Sequence, residues 1–239
     1  MTGILDPDDT AQRRLLIAAS CVLAPAALLA AFLVGPSMAY DDATASLNDV
    51  AAGRAASVGQ AMLLLISSAL FVPVLIGALN LLRRRGRTVG TIGAIAFLAG
   101  ICGHLMLVGA RLVLVQMAAP GANRTAMVDL AQRLGHGVFT VITPLELCFD
   151  IGLVLMFIGL RRAAAVPTWV VAVIIAVAVA AGVLGSTKTA FVIAGMGGLI
   201  AGTYVGIRIA RADNAAWRLG YLTGEPTEQV ELPQLEPAT

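Results

Sequence analysis

Long apolar blocks separated by short polar breaks run the length of the chain. They cover 15–34, 58–82, 88–118, 138–160, 168–185 and 189–210. A helix rising 1.5 Å per residue needs about 20 apolar residues to cross the hydrocarbon core of a bilayer. The pattern therefore predicts an all-α membrane protein, a six-helix transmembrane bundle spanning 15–210. Residues 1–14 form a polar N-terminus ending in Arg13-Arg14. Residues 211–239 form a tail with Pro226, Pro233, Pro237 and four Glu. Such a composition is expected to be mostly disordered beyond an interfacial piece around Trp217 and Tyr221.

The breaks carry further information. Ser37-Met38-Ala39 has the small-x-small form of a signal-peptidase site, but the apolar block before it is longer than a typical signal core, so it reads as a retained span. Residues 36–57 read as a polar loop with Asp41, Asp42, Asp49 and Arg54. Residues 119–137 open with Pro120-Gly121. Met127, Leu130, Ala131 and Leu134 fall on one helical face there, and Gly135 can stop a helix. A short amphipathic helix on the membrane surface and an irregular loop fit this segment equally.

Arginine placement sets the expected orientation. Arg13-Arg14, Arg83 to Arg87, Arg161-Arg162 and Arg208/Arg211 share one side under six alternating crossings. Basic residues concentrate on the cytoplasmic side, so both termini are expected there, with the protein multi-pass in the inner (plasma) membrane. A segment ending in Leu-Arg-Arg followed by an apolar return occurs twice. Either a parallel internal repeat or the shared need of inward-ending helices for a basic stop produces that echo.

Composition sharpens the class. Of 239 residues, 59% are hydrophobic and 13% charged, and the mean hydropathy is +0.89. A soluble domain carries about 25% charged residues. A net charge of +2 offers no footprint for nucleic acid. Cys21, Cys102 and Cys148 lie inside apolar blocks, which argues against a disulfide framework. The basic residues are all Arg except Lys188, which with heavy Ala, Gly and Val use resembles a high-GC bacterial composition.

The candidate chemistry is a set of ionisable residues inside two apolar blocks. Glu146 and Asp150 lie near the middle of 138–160, and His104 and Arg111 lie within 88–118. A carboxylate at that depth costs about 2.5–3.5 kcal/mol on insertion scales, so it must face protein or water. With the two helices antiparallel, rise per residue pairs Arg111 with Glu146 and His104 with Asp150. Thr140, Thr143 and His136 lie near the same face, and Pro144 cannot donate to the Thr140 carbonyl. The expectation is a polar crevice opening outward. His104 and Asp150 would be its titrating pair, Arg111 and Glu146 its outer gate. Equally, such pairs can serve only to fix helix register.

No metal or cofactor is expected. Residues two apart point about 200° apart on a helix, so Cys102 and Cys148 face away from His104 and Asp150. His136 and His104 differ too much in depth to share a haem. Ala194, Gly198, Gly202, Gly206 and Ala210 recur at intervals of four. That stripe serves internal packing, with Ala172, Ala176 and Ala180 as a candidate partner, or a homodimer through Gly198, Gly202 and Gly206.

The run LNDVAAGRAASVGQAMLLLISSALFVPVLIGALNLLRRRGRTVG, with IGLRRAAAVPTWVVAV, resembles multi-pass integral membrane proteins of actinobacteria that form a domain of unknown function. Leu-Arg-Arg at a helix end and a Val-Pro-x-Trp lead into the next helix carry the resemblance. It spans most of the hydrophobic region and implies membrane residence but no activity. Such proteins often have Gly and Leu where this chain has Glu146 and Asp150. Three functions are compatible with these residues. The first is binding or movement of a small or lipophilic solute or a proton across the bilayer. The second is a membrane-embedded cyclase or isomerase with Glu146 or Asp150 as general acid. The third is an accessory or immunity protein without turnover.

Overall fold

The computed structural model describes residues 7–36, 42–82, 86–184, 187–220 and 222. The signal-peptidase-like site, Arg83 to Arg85, Tyr221 and the tail from 223 onward lie outside them. Every regular element among the described residues is a helix: α1 (Pro7–Val34), α2 (Ala43–Ala52), α3 (Arg54–Leu81), α4 (Arg87–Met117), α5 (Arg124–Arg162), α6 (Thr168–Leu184), α7 (Lys188–Arg211) and α8 (Asn214–Arg218). Five are long and apolar enough to cross a membrane, where the hydropathy pattern led to six; α6, of 17 residues, is shorter.

The long helices close on themselves. α1 packs on α3, α3 on α4, α4 on α5, α5 on α6, α6 on α7, and α7 returns to α1. The ring thus follows chain order, with turns as short as the one at Gly86. That residue has φ +76°, and a Cβ there would lie 2.3 Å from the Gly159 carbonyl oxygen, so only glycine fits.

Glycine also sets the closest seam. A Cβ on Gly152 would meet the Phe97 nitrogen at 2.2 Å, one on Gly100 the Phe149 Cα at 2.4 Å, and one on Gly159 the Gly90 Cα at 2.6 Å. Contacts that descend along α5 as they rise along α4 make the two helices antiparallel neighbours. Backbones this close gain dispersion contacts that bulkier residues would hold apart.

The α7 stripe is likewise internal. A Cβ on Gly202 would meet the Cys21 carbonyl oxygen at 2.1 Å, and one on Gly206 that of Ala18 at 2.7 Å; Gly198 sits beside Pro25. The partner is α1, not Ala172, Ala176 and Ala180, of which the first two are exposed. The face suggested for a homodimer through Gly198, Gly202 and Gly206 is covered by α1 of the same chain.

Two other expectations are corrected. Residues 124–137 are neither a separate surface helix nor a loop. Gly135 does not stop the helix, and α5 continues through it and through Pro144 for 39 residues, about 58 Å. Its first turns pack Met127, Val128 and Ala131 on α2 (Leu47, Val50) and on the end of α4 (Val115, Met117). Second, 36–57 contains α2, whose N-cap Asp42 accepts from the Thr44 and Ala45 amides at 2.9 and 3.0 Å. At the other end of the bundle, Trp217 of α8 is buried against the main core. The Asn80 side-chain nitrogen donates to the Trp217 carbonyl at 2.9 Å.

Candidate functional site

The α4–α5 seam fixes where the ionisable residues stand. Gly100 meets Phe149 and Gly103 meets Leu145. Glu146 is therefore level with Gly103, while Arg111 lies eight residues farther along α4, about 12 Å. The predicted depth match fails for this reason: it assumed two helices ending at the same height, but α5 begins well outside the apolar region. Arg111 is buried, and its Nη1 donates to Oε1 of Gln60 on α3, itself 2% exposed. Gly35, just past the end of α1, leaves room for that amide, since a Cβ there would lie 1.9 Å from the Gln60 Cδ. Glu146, half-buried, lies within electrostatic range of both Arg111 and Asp150.

His104 and Asp150 also part company. The His104 ring packs on Phe149, centroids 4.4 Å apart and tilted by 39°. Phe149 contacts Phe97 at 4.6 Å and Phe71 at 5.4 Å, and Phe71 meets Phe97 edge-on at 5.3 Å. Three phenyl rings and one imidazole thus wedge α3, α4 and α5 together at mid-bundle. Asp150, one residue past Phe149, lines instead a cavity of about 80 Å³ bordered by α1, α3, α5, α6 and α7. His104 does not line it. The lining is apolar, including Phe71, Phe149 and Phe157, and among the described residues Asp150 is its one carboxyl.

Thr140 and Thr143 are on the exposed side of α5, away from this cavity, and the His136 side chain lies outside the described residues. What the sequence reading missed is Gln60, the side of α7 facing the cavity, and the cavity itself. Gln60 carried a signal, as an amide inside an apolar block. Nearby Ser67 behaves alike, its hydroxyl donating to the Ala24 carbonyl of α1 at 2.9 Å. Polar groups at these positions must find partners inside the bundle, because lipid offers none.

The arrangement can hold a mostly apolar molecule with one hydrogen-bonding group against Asp150. Among the described residues no three His, Cys, Asp or Glu side chains gather as a metal site. Compared with known proteins, the chain matches no family model, no curated protein and no solved structure.

Proposed function

We propose that this is a six-crossing plasma-membrane protein with both termini cytoplasmic, which binds a small lipophilic solute inside its helix ring. The observation that carries the reading is Asp150, the one carboxyl among the described residues that line an otherwise apolar, partly aromatic cavity. Intramembrane acids are costly and are mostly retained at functional positions. α6 is counted as the sixth crossing because its 17 residues are uniformly apolar and reach about 25 Å. Arg161, Arg162 and Lys188 flank it. Gln60–Arg111 and Glu146 then form a polar path from the far end of the bundle toward Asp150.

The test is photolabelling in nanodiscs with a butanol carrying a diazirine at its tail, adducts being mapped by mass spectrometry. Label on Met156 and Phe157, lost when Phe157→Trp fills the space, is expected. Label confined to the exposed Ile175 and Val179 would refute the reading. A membrane-embedded isomerase or cyclase is the second reading, favoured by Phe71, Phe149 and Phe157 beside an acid. Conversion of a polyprenyl alcohol to a product of equal mass, abolished by Asp150→Asn, would distinguish it.

A further inference from the structure

The volume of the cavity bounds its occupant. An apolar protein cavity of about 150 Å³ takes benzene, with its six carbons. In proportion, the volume of about 80 Å³ beside Asp150 holds about three non-hydrogen atoms.

The charges inside the bundle single out Asp150. Between the basic helix ends, the apolar blocks hold one permanent cation, Arg111, against two carboxyls, Glu146 and Asp150. Arg111 is bonded to Gln60 and lies within electrostatic range of Glu146. Asp150, Leu153 and Phe157 recur at i, i+3 and i+7 on one face of α5, and all three line the cavity. Among the described residues, no Arg, Lys or His shares that lining, and no side chain donates to the Asp150 carboxyl. Glu146 lies within electrostatic range of Asp150 and adds a second source of negative potential. An acid within a bilayer pairs with a cation, a hydrogen-bond donor or water. The cavity is the place from which such a partner reaches Asp150.

The lining also fixes how many N–H groups a cationic partner can carry. Both oxygens of a carboxylate accept, and the described lining side chains offer no other oxygen or nitrogen acceptor. A secondary ammonium directs its two N–H groups at those two oxygens and turns its carbons to the wall. Ammonium or a primary amine would leave N–H groups against hydrocarbon, which buried donors avoid. A calcium ion would need roughly six to eight oxygens. Phe71, Phe149 and Phe157 add ring surface to the lining, and aromatic faces attract alkylammonium ions.

We propose that the cavity binds a secondary alkylammonium ion of about three non-hydrogen atoms, both N–H groups donating to Asp150. This rests on the reading of the cavity as a binding site for a small solute, which the neutral butanol probe tests separately. The probe is radiolabelled dimethylamine, an alkylamine protonated at pH 7 as a lysine side chain is. Equilibrium dialysis against the protein in nanodiscs measures its binding. Saturable binding is expected, competed at least tenfold better by dimethylammonium than by its neutral isostere dimethyl ether, by ammonium or by the larger diethylammonium. Asp150→Asn, which keeps the shape, is expected to weaken binding at least tenfold. Ala194→Leu, which adds three carbons to the lining, is expected to do the same with the carboxyl in place. Asp129→Asn, at an exposed carboxylate paired with Arg133 at 2.9 Å, is expected to leave binding unchanged. Only variants that elute as monodisperse folded protein count, and the competition series on the unmodified chain stands without them. Equal competition by dimethyl ether, or binding unchanged in Asp150→Asn, would overturn the ammonium assignment. So would the absence of saturable dimethylammonium binding. In each case butanol adducts on Met156 and Phe157 would still uphold the small-solute reading, and their absence would remove both. Competition by ammonium equal to that by dimethylammonium would overturn the match of two N–H groups to two oxygens.

Discussion

Adding one methyl group at Gly152 tests whether the α4–α5 seam carries the position of the site. A Cβ at Gly152 would stand 2.2 Å from the Phe97 nitrogen and 2.7 Å from its Cα, against 3.4–4 Å for ordinary contact. Both atoms are backbone, so no rotamer change relieves the clash and α5 must move by about 1 Å. Overpacking of this kind costs about 1–3 kcal/mol, partly offset by the greater helix preference of Ala over Gly, up to about 1 kcal/mol. Gly109→Ala supplies the control, since α4 is also helical there and its Cβ would meet nothing within 4 Å. The propensity gain is common to both, so the difference between the variants isolates the contact and should be about 1–3 kcal/mol. Reversible unfolding in mixed micelles of increasing dodecyl sulfate content measures it. If Gly152→Ala were as stable as Gly109→Ala, the seam would be loose and the assigned height of Asp150 would have no support.

Other expectations follow from individual contacts. Gln60→Leu removes an acceptor from buried Arg111 and should cost about 1–3 kcal/mol; combining it with Arg111→Leu should cost less than the sum, and strict additivity would count against the contact. Lys188 Nζ donates to the Leu33 and Gly35 carbonyls at the end of α1, 3.3 and 3.1 Å. Lys188→Met should therefore lower stability by about 0.3–1 kcal/mol, an effect that vanishes if the lysine is idle. Trp217→Ala should cost about 3–5 kcal/mol, and a change near zero would mean α8 is not docked. For topology, Thr44→Cys is a better reporter than Ser46→Cys, because Ser46 is buried in α2 while Thr44 is exposed; labelling only from the cytoplasm would invert the orientation.

Apolar block lengths made the membrane-helix class legible, because lipid imposes a length and hydropathy that few other constraints mimic. Helix neighbours were partly legible, since α4 and α5 share a short connection. Registry was not. The height of Glu146 relative to Arg111 depends on where α5 starts, and Gly135 and Pro120-Gly121 suggested a break that packing of Met127 and Ala131 on α2 overrides. Arg111 announced a need for a partner, but a charged residue constrains only that some acceptor be near. Gln60 on a third helix supplies one as well as Glu146 would. The α7 stripe signalled close packing, yet small residues do not name the surface they admit. That surface was α1, at the far end of the chain. The cavity had no sequence signal, because its wall is drawn from five helices at positions indistinguishable from core.

The ring closure of α7 on α1 has a consequence for biogenesis. The carbonyls of Ala18 and Cys21 are met by Gly206 and Gly202, roughly 180 residues later in synthesis. At about 5–20 residues per second, the first helix waits roughly 10–35 s in the bilayer before that flank is covered. During this interval α1 can rest on α3 alone, with the groove destined for α7 open to any helix carrying small residues. A ribosome-bound chain arrested before α7 is thus expected to be the species most prone to wrong pairing, and an insertase or quality-control factor would have its longest opportunity there.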